Sequence, residues 1–266
     1  MTRVLVEAVK NISIAMAKIF KKIFFIILII VACDSSYKPS EVFERNDSVF
    51  VLKSGKPLTG YVRTFYENNK LKSVKEYKNG VKHGYYLRFY PNGKMSLKMK
   101  YFENKPLYYT QYYENGKIKA QSIDSADYKI VIRYYDNGAV FSKETVKNGL
   151  LNGKVYHFHE NGKIKAIITY KNGKKNGVLK LFYPDGKLNV ICNYVNDSLD
   201  GLFKSWSKEG YYGEEYFKKG KRVGVWKYYY PDGKIKAKVI IDDNGIVKQR
   251  IEYDSKGNIV DVFTSN

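Results

Sequence analysis

The stretch GVLKLFYPDGKLNVICNYVNDSLD, Gly177 to Asp200, decides the fold. It holds two short apolar and aromatic runs, each closed by a turn. Pro184-Asp185-Gly186-Lys187 is a Pro-x-Gly cluster of the kind that reverses a strand. Val195-Asn196-Asp197-Ser198 leads into Asp200-Gly201, where the pattern begins again. Two alternating runs joined by an Asp-Gly turn predict one β-hairpin of about 24 residues.

The hairpin recurs along the chain. With the opening Gly as position zero, units start near Gly60, Gly84, Leu107, Lys129, Gly153, Gly177, Gly201, Gly224 and Lys248, 22 to 24 residues apart. Five residues after the start stands an aromatic: Phe65, Phe89, Tyr112, Tyr134, Phe158, Phe182, Trp206 and Tyr229. Nine residues after it a turn Gly recurs from Gly93 to Gly257, with Asn69 in the first unit, and Asn also tolerates left-handed backbone. The second run of each unit alternates cleanly, as in Ile164, Ala166, Ile168 and Tyr170 or Leu188, Val190, Cys192 and Tyr194. That period of two predicts strands with one buried and one wet face. In the first run, apolar positions two and five have opposite parity. Either a bulge intervenes or both faces carry aromatics.

Units such as GYYLRFYPNGK (Gly84 to Lys94) and GVWKYYYPDGK (Gly224 to Lys234) resemble the MORN-repeat variant, found in bacterial proteins filed under a YwqK-type antitoxin label. The resemblance covers roughly residues 58 to 258. It implies an all-β fold, an elongated single-layer antiparallel sheet of serial hairpins, and it carries no catalytic motif onto any residue. A repeat array is one quasi-one-dimensional domain, here expected over 48–266. Nine units at ~4.8 Å per strand would extend roughly 85 Å. Such a thin sheet is expected to bury its area largely through Tyr and Phe, 40 residues together.

The net charge is +21, from 47 basic and 26 acidic residues. Lys98, Lys100, Lys163, Lys165, Lys236 and Lys238 are expected on the polar side of the second strands, where Lys keeps exposed strands soluble. A basic face with aromatics could also bind anionic lipid or polysaccharide; nucleic acid is the weaker expectation. The spacing of the two cysteines forms no disulfide framework or zinc motif, and Cys192 reads as a small core residue.

Residues 1–32 read as a signal peptide, with the true start at Met1 or Met16. Lys18, Lys21 and Lys22 precede the apolar run Ile23 to Val31, too short to span a bilayer. Ala32-Cys33 resembles a bacterial lipobox, which implies acylation of Cys33 and anchorage in a membrane of the cell envelope. Removal of residues 1–32 leaves a charge of +17. Residues 33–47 suit a lipid-anchored tether, and Val49 to Leu52 a first strand covering the sheet's N-terminal edge. Ser122 to Lys129 and Phe141 to Leu151 lose parts of the pattern, as drift in a tolerant repeat would.

His157 and His159 lie two apart, a metal-pair spacing without a third ligand nearby; aromatic substitution at His159 is the simpler reading, and no metal or cofactor is expected. Glu and Asp fall mostly in turns, and every Gly falls on the hairpin period, so no enzyme is expected. The expectation is an envelope lipoprotein that binds or scaffolds a protein partner, with Phe182, Trp206, Trp226 and Tyr229 as its aromatic surface. An antitoxin or immunity protein facing an exported toxin is the alternative.

Overall fold

The computed structural model describes residues 35–124 and 127–265. Residues 1–34, including the expected signal segment and Cys33, lie outside it.

Two kinds of reversal alternate along the chain. The first is a two-residue turn with both residues in left-handed backbone, such as Asn172-Gly173 (φ 51° and 82°). This geometry matches strand twist and explains the Asn-Gly pairs. The second is the Pro-x-Gly turn. In Tyr183–Lys187 the Gly186 amide donates to the Tyr183 carbonyl at 2.8 Å, and the Tyr183 amide donates to Lys187 at 2.9 Å. That pattern is a three-residue hairpin loop.

Strands therefore pair with their sequence neighbours, from Gly60–Phe65 at one end to Ile259–Thr264 at the other, all antiparallel. The one parallel pairing sets Ser36–Tyr37 beside Tyr61–Val62. Each strand packs chiefly against the next, as a single layer requires. The sheet also runs through the drifted middle, where Lys129–Tyr134 pairs with Ile118–Asp124.

The parity conflict resolves with both faces occupied: the first strand runs without interruption through positions two to five, as from Trp226 to Tyr229, so the two positions lie on opposite faces. In nearly every Pro-x-Gly hairpin the register shifts between positions four and five, as between Arg88 and Phe89 or Leu181 and Phe182. The extra residue sits on the second strand. The opening Gly starts a strand at Gly60, Gly153 and Gly201 but lies inside one, beside a bulge, at Gly84, Gly177 and Gly224. Tyr170 pairs with Lys175 but Ile168 with Leu179, so Gly177 lies inside the strand Lys174–Phe182.

Four expectations are corrected. Residues 36–45, within the expected tether, form a strand at Ser36–Tyr37, a short 3-10 turn at Pro39–Glu41 and a strand at Val42–Arg45. Ser48–Val51 pairs with Val42–Arg45 in a separate two-stranded sheet, so Ser36–Tyr37 takes the edge instead. Around that hairpin Val49, Leu58, Val62 and Tyr77 form a small core. The buried set is also less aromatic than expected. Val131, Val155, Ala120, Ala166, Leu179, Cys192 and Ser142 are buried, while most Tyr and Phe rings are half-exposed. Lys98 is not on a wet face: it is buried, and its ammonium lies 4.7 Å from the Tyr85 ring centre, with Lys100 4.2 Å from the same ring. Desolvation lowers the Lys98 pKa.

Cys192 is buried opposite Leu179, and burial pushes its thiol up to about 11.

Candidate binding site

The unit's sixth position, just after the aromatic of position five, ties neighbouring hairpins together. The Tyr66 hydroxyl donates to the Phe89 carbonyl at 2.7 Å, Tyr90 to Tyr112 at 2.7 Å, and Tyr113 to Tyr134 at 2.8 Å. Tyr135 donates to Phe158, Tyr183 to Trp206 and Tyr230 to Tyr253, each at 2.8 Å. Each phenol thus crosses one strand and reaches the carbonyl of position five in the next unit. His159 holds the same place, with Nε2 3.0 Å from the Phe182 carbonyl. Imidazole can replace phenol here because it too offers a ring and a donor.

One rung is missing. In the unit from Gly201 the sixth position is Ser207, whose side chain cannot cross a strand to the Tyr229 carbonyl. Its Oγ is enclosed and makes no hydrogen bond of ordinary geometry. It acts on Glu209, whose carboxyl is held low first by its own backbone amide and then by the nearby Ser207 hydroxyl. This unit also lacks the bulge. Ser205 pairs with Gly213 and Trp206 with Tyr212 without a register shift.

Where the ring is absent, a cleft of about 420 Å³ opens, lined among others by Ser205, Ser207, Tyr211, Tyr212, Gly213, Tyr228, Lys236 and Glu252. Its floor follows one cross-strand row, Ser205–Gly213–Tyr228–Ala237–Glu252. The Tyr228 ring lies against Gly213, so that a Cβ there would stand 3.0 Å from Cδ1 and 3.1 Å from Cε1. Its hydroxyl donates to Glu215 Oε1 at 2.9 Å. Burial first, and that carboxylate second, push the Tyr228 pKa up. At the rim, Tyr211 and Tyr230 rings lie 6.1 Å apart, with Lys236 Nζ 4.9 Å and 5.8 Å from their centres.

The residues expected to form an aromatic surface divide. Trp206, Tyr212 and Tyr229 form one cross-strand row, with Tyr212 and Tyr229 stacked at 4.1 Å and 7°. Phe182 lies in the preceding hairpin, where its carbonyl accepts the His159 bond. Trp226 is corrected. It is 5% exposed, on the opposite face from Tyr229, its Nε1 donates to the Tyr216 carbonyl at 3.3 Å, and the Arg222 guanidinium lies 4.8 Å from its ring centre. It is a core residue. Among the described residues no three His, Cys, Asp or Glu side chains are grouped to hold a metal ion. His157 faces Ser142 and Ala166, and burial lowers its pKa.

This architecture defines a serial β-hairpin repeat protein. Residues 58–79, 82–104, 107–123, 151–172, 175–196 and 222–241 match the family described as MORN repeat variant. The unit with the missing rung falls between two matched segments. No curated protein matches the chain. Among solved structures, crystal structures of TcdB2-TccC3-TEV and TcdB2-TccC3-Cdc42 are 11% and 10% identical over 81% and 84% of this chain, with TM-scores of 0.20 and 0.19. The chain spans only 14% and 16% of those chains, and nothing is carried over from them.

Proposed function

We propose that the chain is a non-enzymatic binding or scaffolding protein of the bacterial cell envelope, anchored by lipid on Cys33, and that the cleft of the Gly201 unit is its binding site. The repeat family and the serial hairpins support the scaffold reading. The single observation that carries the site is the coincidence of the missing rung with the cleft. In the units from Gly60 to Gly177 and from Gly224 a phenol or imidazole fills that space; here Ser leaves it open beside four tyrosines. Concave, aromatic-lined sites with a few polar groups are where ligands bind.

The test is Ser207→Tyr, which restores the rung and fills the cleft. Envelope extracts applied to immobilised protein are expected to leave material on the native chain that the variant does not retain. Equal retention would overturn the site. For the anchor, an alkyne-palmitate label should appear on the native chain and vanish in Cys33→Ala; label on neither would remove the membrane placement.

A further inference from the structure

The cleft's lining narrows what it takes. Its aliphatic wall is only Ala237 and Val239, too little to hold an apolar peptide side chain. Tyr212 and Tyr229 are stacked on each other at 4.1 Å, so no slot lies between them for a flat base. What remains is a set of one-sided aromatic faces, Tyr211 among them at 39% exposure, beside the hydroxyl of Ser205 and the carboxylate of Glu252. One-sided rings with neighbouring hydroxyl and carboxylate groups suit the apolar face and hydroxyl rim of a sugar ring.

The charges add a second constraint. Arg250 is already matched, by Glu252 at 3.4 Å and Asp261 at 3.1 Å. Lys236 is not: among the described residues no carboxylate lies within ion-pair distance of it, and its neighbours are the Tyr211 and Tyr230 rings. A cation held on aromatic faces at the rim is placed to meet an anionic substituent. From these observations, and resting on the reading of the cleft as the binding site, we propose that the ligand is a short acidic oligosaccharide. A sugar ring would stack on Tyr211 and its carboxylate would pair with Lys236.

Titration calorimetry of the full chain in detergent micelles tests this, with trigalacturonate, maltotriose, tripolyphosphate and AMP as the added compounds. Trigalacturonate is expected to bind at least tenfold more tightly than the other three. Lys236→Met, which keeps the stem, should weaken it about tenfold, a loss of ~1.4 kcal/mol. Tyr211→Ala should weaken it as much, and Tyr90→Phe, whose hydroxyl ties hairpins several units away, should leave it unchanged. Equal or tighter binding of tripolyphosphate would reduce the site to charge alone and overturn the proposal, as would tighter AMP. Absence of trigalacturonate binding would also overturn it. In that case the envelope retention experiment separates the two claims: if Ser207→Tyr still abolishes retention, only the ligand class falls, and if it does not, the cleft falls as well.

Discussion

The units beginning at Gly177 and Gly201 are adjacent, yet they solve one packing problem differently. In the first, Tyr183 crosses a strand to bond the Trp206 carbonyl, and a bulge separates Leu181 from Phe182. In the second the phenol is replaced by Ser207 and the bulge is gone. The neighbours compensate: Gly213 loses its side chain, and Tyr228 lies in the space that leaves. A thin sheet closes its surface one rung at a time, so a single lost ring opens a cleft without disturbing the strands on either side. Repeat arrays tolerate this because each unit depends mainly on its neighbours.

The contrast is sharpest where the altered unit meets its most buried ring. Trp226 is nearly enclosed, stacked near Phe217 at 5.9 Å and covered by Arg222. Trp226→Ala should cost about 3–5 kcal/mol, read as a lowered midpoint in urea. A loss under ~1 kcal/mol would show that this half is held by backbone pairing alone. Gly213→Val comes next. Its added carbons would push Tyr228 off the strand and break the bond to Glu215, costing about 1–3 kcal/mol. The same substitution at Gly210, in left-handed backbone (φ 93°), would act through strain instead, and would leave the Tyr228 fluorescence environment unchanged.

The rung itself gives smaller, opposed effects. Tyr183→Phe leaves the ring and removes the hydroxyl, and should destabilise by about 1 kcal/mol. Ser207→Tyr adds a rung and should stabilise by a similar ~1 kcal/mol, while closing the cleft. Stability gained with binding lost is the pattern expected when a site occupies a structural vacancy. If Ser207→Tyr destabilises, the absent bulge has made the position unable to host a ring.

Much of the fold could be read from the residues. The spacing of Gly and aromatics marks the hairpins, and the opposite parity of positions two and five marks a strand with side chains on both faces, while the bulge opposite Arg88 and Phe89, on the second strand, leaves no such mark. Spacing reports recurrence, not register, so it locates the opening Gly of each unit without showing how that Gly is paired. The bulge beside Gly177, inside Lys174–Phe182, appears only once strands are paired. Trp226 differs: parity alone sets it on the other face from Tyr229, and what the sequence does not show is that its face is the covered one. The site was there to be found. Tyr66, Tyr90, Tyr113, Tyr135, His159, Tyr183, Ser207 and Tyr230 form a column in which Ser207 alone lacks a ring, and Gly201 to Gly224 is one residue shorter than the three units before it. What sequence could not supply was the meaning of the column, because the bond joins residues about 23 apart on non-adjacent strands.

The unit near Lys248 offers a fourth occupant of the same position, after Tyr, His and Ser. Asp254 stands where Tyr183 stands, and instead of reaching the next hairpin it turns back on its own loop. Its carboxylate accepts from the Lys256 and Asn258 amides at 2.9 Å each and from Asn258 Nδ2 at 3.0 Å. The Asn258 side chain first, and the backbone amides after it, hold the carboxyl below its ordinary 3.8. A lowered folded pKa means the capping contribution is whole above 3.8 and is lost as pH falls through the still lower folded value. Amide protection at Gly257 and Asn258 should therefore decline as pH is lowered below about 4. The Tyr90–Lys94 turn, capped by the uncharged Asn92 through the Lys94 amide at 2.9 Å, should not follow it. Asp254→Asn should remove the pH dependence and leave the turn formed. Because the carboxylate is exposed, solvent and salt screen the effect, which makes it the smallest of the series. A parallel decline in both turns would mean that the whole sheet loosens in acid, and that position six sets only which unit opens, not how.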